Sequence, residues 1–80
     1  MTTDYLISID TKEVQKEILV KYVTLKEAEA LLHLLFDMHC KEVNDEVSLY
    51  EYKLISKSTH FSSYQRTFVK SLENSVECEN

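Results

Sequence analysis

His33 and Asp37 stand four residues apart, and His39 directly precedes Cys40. On a helix the first two share a face, a spacing at which an imidazole and a carboxylate could run acid–base chemistry if a pocket and a third group oriented the ring. No third group accompanies them. Glu29 and Lys41 continue the same row, which therefore reads as solvated i,i+4 pairs contributing about 0.3 kcal/mol each. Neighbours such as His39 and Cys40 point about 100° apart on a helix, and no Cys-x-x-Cys or His-x-x-x-His spacing supplies further metal ligands. His39 reads instead as a buried or partly buried histidine near a helix C-terminus, where its cationic form would suit the dipole. The sequence thus predicts no catalytic residue, no metal site and no cofactor.

Two other clusters carry side chains of interest. Lys57, His60, Tyr64, Arg66 and Lys70 form a small basic-aromatic group of the kind that can touch nucleic acid. Tyr50-Glu51-Tyr52 places two rings at strand spacing, and tyrosine suits interfaces that bury a ring and keep a wet hydroxyl. The chain contains neither glycine nor proline, where average usage would give about five and four. A phosphate loop, a dinucleotide fingerprint and a nucleophile elbow all need glycine and are excluded.

Charge narrows the partners. The net charge is −5, but Glu73, Glu77 and Glu79 fall near the end, and residues 1–72 carry nine basic and eleven acidic groups. A broad basic surface for phosphates is unsupported, so nucleic acid is a disfavoured partner. Eighty residues allow a single domain with a marginal core, expected over residues 1–72 with a frayed acidic tail at 73–80. No apolar run approaches the roughly 20 residues that cross a bilayer, and the first residues lack the pattern of a signal peptide. A cytoplasmic protein is expected, with Cys40 and Cys78 as free thiols.

The element that must organise the rest starts at Thr24. Thr24 and Glu27 form a capping box, and the following AEALLHLLFDMHCKEV places Leu25, Ala28, Leu31, Leu32, Leu34, Leu35, Phe36, Met38 and His39 on one arc of roughly 200°. A helix on a sheet needs only about 100° or somewhat more of apolar surface. The flanks therefore call for a second helix or a partner chain.

Alternation predicts a strand over residues 4–10 and, after a short turn that Asp10 could begin, a second over about 16–23, with Ile18, Val20 and Tyr22 inward. Asn44 is the one good candidate for a left-handed residue closing the helix. A third strand runs over about 47–58. Tyr50, Tyr52 and Leu54 lie on one parity, and Val47, Leu49 and Ile55 on the other, so a bulge or two useful faces is implied. Phe61, Tyr64, Phe68, Val69 and Leu72 recur at helical spacing, which predicts a second helix capped by Ser58 or Thr59. The expected fold is α+β, ββαβα: a three-stranded antiparallel sheet in order 2-1-3 with both helices on one face. Lys16, Glu17 and Lys21 would blunt one sheet edge, and Glu51 and Lys53 the other.

From Asp4 to about Lys57 the alternating strand, charged hairpin, second strand and Thr24-Leu25-Lys26-Glu27-Ala28 helix start resemble small bacteriophage-encoded ββαβ proteins such as the T7-type inhibitor of host RNA polymerase. The resemblance covers fold-forming positions and carries over no functional side chain. It implies a stoichiometric inhibitor of a host enzyme or defence complex, of which anti-CRISPR proteins are one sort.

These readings converge on a non-enzymatic protein-binding module that inhibits or adapts a larger host protein, with a homodimer as a further expectation. Leu34, Met38, Phe36, Tyr50, Tyr52 and Glu51 are the candidate contact residues. The alternative is a nucleic-acid-associated or nucleic-acid-mimicking regulator.

Overall fold

Thr24 opens the helix as its capping box requires. In the computed structural model, which describes residues 3–58 and 60–74, Glu27 donates its amide to the Thr24 hydroxyl at 3.2 Å. The Thr24 amide donates back to Glu27 Oε1 at 2.8 Å. Helix α1 (Leu25–His39) follows and turns Ala28, Leu32 and Leu35 into the core. It is neither long nor apolar enough to cross a membrane.

Cys40 ends α1 in an extended conformation, directly after the last residue of the apolar arc. The cause lies ahead in the chain: the buried Asp45 accepts the amides of Lys41 and Glu42 at 3.0 and 2.9 Å, which draws the backbone out of the helix. Asn44 is left-handed, with φ 77°, and shapes this turn rather than the helix end itself. Its amide donates to the carbonyl of Asn74, and the Asn74 amide donates to that of Asp45, both at 2.9 Å. Residues 75–80 of the acidic tail lie outside the described residues, as does Cys78.

Four strands form one sheet: β1 (Thr3–Asp10), β2 (Gln15–Val23), β3 (Glu46–Lys57) and β4 (Ser62–Glu73), in the order β2-β1-β3-β4 with every neighbouring pair antiparallel. The fold is ββαββ. The order 2-1-3 stands, but the second C-terminal helix does not: residues 62–73 extend the sheet by a strand. The Ser58 hydroxyl accepts the amides of His60 and Phe61 as an N-cap would, but a strand and not a helix follows. The Ser58 amide, however, donates to the carbonyl of Phe61 at 2.8 Å, which closes a hairpin instead of a helical turn. The alternative cap, Thr59, lies outside the described residues.

One face of the sheet packs on α1. Tyr5, Ile7 and Ile9 of β1 and Val47 and Leu49 of β3 are buried there against Ala28, Leu32 and Leu35, with Ile18, Val20 and Val23 of β2 partly buried beside them. Two expected orientations change. Tyr22 does not face inward: it takes a positive φ of 61° at an irregularity between the Tyr5–Val20 and Thr3–Val23 pairs, which sends its side chain outward and Val23 inward. Because β4 pairs along β3, Glu51 lies within the sheet between Tyr5 and Thr67 and does not blunt its edge, while Lys53 falls just past the last β1–β3 pair and is paired with Gln65 of β4. The β1–β2 turn is organised by buried Thr11 rather than Asp10, since the Thr11 hydroxyl accepts the Val14 amide at 2.9 Å.

Strand β1 ends its pairing with β3 at Asp4–Tyr52. Beyond it, Lys53–Lys57 and Ser62–Gln65 continue as a two-stranded arm, which gives the molecule its 55 × 26 × 17 Å shape.

Candidate functional site

Side chains alternate along a strand, so every residue that does not face α1 faces the other side of the sheet. No described element covers that side. Its central row runs across all four strands as Leu19, Leu6, Tyr50 and Phe68, each the register partner of the next. Leu6 is only 6% exposed, whereas Leu19 and Phe68 at the two ends are 44% and 58% exposed.

Toward the arm, Tyr52 stacks on Tyr64 with centroids 4.8 Å apart and planes 8° from parallel, and Leu54 pairs with Tyr64. Tyr50 meets Phe68 edge to face at 5.8 Å. The result is a ring-lined surface on β3 and β4 continued by leucines on β1 and β2. Away from the arm the face turns polar, with Ser8 set between Glu17 and Ser48.

Arg66 crosses this surface. Its guanidinium lies 5.4 Å from the Tyr50 ring centroid and donates to Glu17 of β2 at 3.0 Å. The hydrogen bond from Arg66 to Glu17 holds the guanidinium protonated even above its ordinary range, with the charge of Glu17 adding to it. The open face therefore carries its one described ion pair internally neutralised.

The candidate residues divide between the two sides of the sheet. Tyr50 and Tyr52 sit together on the open face. Glu51, between them, has the opposite parity and is half-buried on the α1 side. Leu34 and Met38 are 54% and 57% exposed on one flank of α1, while Phe36 is partly buried against the core. Tyr64, Phe68, Leu6, Leu19, Arg66 and Glu17 complete the open face and were not singled out as a set by the sequence. The alternation Tyr64, Arg66, Phe68 is the signal that carries half of them.

The basic-aromatic cluster does not assemble. Arg66 is paired with Glu17 on the open face, Lys70 is the register partner of inward-facing Leu49, and Lys57 is at the end of the arm. His33 and Asp37 are both exposed, and His39 is half-buried at the last turn of α1. Cys40 is a buried free thiol whose pKa is pushed up by burial and by the nearby Asp45 and Glu46 charges, which makes it a poor nucleophile. Among the described residues no group of three or more His, Cys, Asp or Glu side chains could hold a metal ion. Comparison with protein-family models, curated proteins and solved structures finds no match to this chain.

Proposed function

We propose that this protein is a small non-enzymatic binding module that docks the uncovered, ring-lined face of its sheet on a larger protein, as an inhibitor or adaptor. The supporting observation is the row from Leu19 through Leu6 and Tyr50 to Phe68, flanked by the Tyr52–Tyr64 stack, with none of the described elements above it. A sheet normally buries its apolar surface against a second layer, and contiguous apolar patches left outside mark interaction sites. Aromatic rings with wet hydroxyls at the centre and polar groups at the rim match the anatomy of protein interfaces. Action by occupying a host enzyme or defence complex, as the phage resemblance implies, is the form such binding takes on this reading.

Exposed rings on adjacent strands are also the platform on which single-stranded nucleic acid stacks, and this favours the second reading. The engagement of Arg66 by Glu17 and the net charge of −5 weigh against it.

The test compares the wild-type chain with a Tyr64→Ser/Phe68→Ser variant whose fold is verified by circular dichroism. Both are immobilised and exposed to lysate of the host organism. A protein retained by the wild type and lost by the variant supports the proposal. Identical profiles overturn it. Affinity for an oligonucleotide that falls steeply with salt would replace it with the nucleic-acid reading.

A further inference from the structure

Helix α1 carries a stripe that its own sheet does not use. Glu27, Ala30, Leu34 and Met38 follow one another at intervals of three and four residues and are all exposed, so they line one flank of α1. Exposed Lys41 lies past the extended C-cap at Cys40, and its ammonium reaches back to the end of the helix to donate to the Asp37 carbonyl. Met38 and Val14, the residue just ahead of β2, line the same pocket, which sets the C-terminal end of this flank on the β2 side of the sheet. That strand is the one α1 touches least, and its inward Ile18 and Val20 stay half-buried.

The stripe is complementary to itself. Take Leu34 as a centre and lay a second α1 antiparallel against the first: Leu34 then meets its own copy, and Ala30, small, faces Met38, large. Glu27 of each copy then comes to the helix end at which the other copy's Lys41 ammonium is held by the Asp37 carbonyl, once at each end. A parallel pairing would instead set Glu27 on Glu27 and Lys41 on Lys41. Antiparallel helices also oppose their dipoles favourably, with the acid near each N-terminus and the base just past each C-terminus. Both end groups are exposed and keep capacity for the contact. Glu27 gives Oε1 to the Thr24 amide and retains Oε2, while the Lys41 ammonium donates to the Asp37 carbonyl at 2.6 Å and retains two N–H groups.

We propose that a second copy of this chain docks here, forming a two-fold pair of antiparallel α1 helices centred on Leu34 and lying above β2. A 15-residue helix is about 22 Å long, so even with Ile18 and Val20 included the contact falls short of the roughly 800 Å² per partner of a standard interface. The dimer is therefore a concentration-dependent one. It leaves the open sheet face free, and it stands or falls separately from the function proposed above.

Sedimentation equilibrium of the full chain from about 10 µM to about 1 mM tests it, and a shift from monomer to dimer across that range is expected. Leu34→Glu, which sets two carboxylates on the symmetry axis, should weaken association at least about 30-fold. Lys41→Glu should weaken it about tenfold, and Glu27→Lys/Lys41→Glu should return it to within about threefold of wild type, provided circular dichroism shows each variant folded. Phe68→Ser should leave it unchanged. A strict monomer at about 1 mM overturns the proposal. So does a dimer that survives Leu34→Glu, one that is lost with Phe68→Ser, or a charge swap no better than the single reversal.

Discussion

Arg66 of β4 and Glu17 of β2 meet at 3.0 Å although two strands, β3 and β1, lie between theirs. At about 4.8 Å per strand the outer strands are about 14 Å apart, so only long side chains reaching toward each other can close that gap. The guanidinium does so by lying over Tyr50, which gives it a second favourable contact on the way. The pair thus ties the two edges of the sheet across its uncovered side.

A double-mutant cycle measures that tie. Because both side chains are nearly half exposed, the coupling between Arg66→Ala and Glu17→Ala should be only about 0.5–1 kcal/mol in urea unfolding, and it should fall in 1 M salt. Tyr50→Leu should lower the stability contribution of Arg66 by about 0.5 kcal/mol through loss of the ring face. A coupling that does not respond to salt would mean that Arg66 acts by packing alone.

Much of the fold could be read from the residues, and the failures have a common cause. The Thr24–Glu27 box and the apolar arc of α1 are local signals, as is the alternation of Tyr5, Ile7 and Ile9. The segment after Ser58 misled because Tyr64 and Phe68 are four apart, and four residues bring a side chain back to the same face of a strand as well as of a helix. What separates the two is Arg66 between them, on the same face only if the segment is a strand. Leu72 then faces α1 because the sheet register shifts between Leu49–Lys70 and Tyr50–Phe68, a bulge that no local pattern announces. The open face was half legible. The parity of Tyr50, Tyr52 and Leu54 was plain, but which parity α1 would cover depends on pairing with β1, a long-range fact.

Parity makes a stability prediction. Val47→Ala and Leu32→Ala, both at fully buried positions, should cost about 1–2 and about 2–5 kcal/mol respectively in urea unfolding. An 80-residue domain has only about 4–12 kcal/mol in total, so Leu32→Ala brings the chain near its unfolding threshold. Leu54→Ala, on the projecting arm and 46% exposed, should cost under about 1 kcal/mol.

Tyr22 offers the opposite sign. With φ at 61° and 76% of its surface exposed, it bears the cost of a left-handed residue without core packing to offset it. Tyr22→Gly should therefore stabilise the chain by about 0.5–1 kcal/mol, and Tyr22→Val should destabilise it by a similar amount, since a β-branched residue tolerates that region poorly. The Tyr22 amide donates to Asp4 Oδ1 at 3.1 Å, and a variant that keeps the bulge should keep this hydrogen bond. Chemical-shift data on that amide would show whether the backbone has stayed in place.

Thr24 tests the capping box directly. Thr24→Ala removes the acceptor for the Glu27 amide and should cost about 1 kcal/mol, while Thr24→Ser should recover most of the loss. Both changes should appear as shifts in the thermal midpoint with the helical circular dichroism of the folded state unchanged.

Asp45 governs the acid limb of stability. The hydrogen bond from the Glu42 amide, helped by that from Lys41 and by nearby Lys12 and opposed by desolvation, holds its carboxyl below the ordinary carboxylate range. A group whose pKa is lower folded than unfolded stabilises the fold fully above its unfolded value, about 3.9, and loses that contribution as pH falls through the folded value. Stability should thus drop on acidification below about pH 4, and no part of this contribution should be lost on going from pH 5 to pH 8. Asp45→Asn keeps an oxygen for the Lys41 and Glu42 amides but has nothing to titrate, so the difference in unfolding free energy between wild type and variant should shrink as pH falls from 5 to 2. A difference that stays constant over that interval would assign the turn's stability to hydrogen-bond geometry and none of it to the charge.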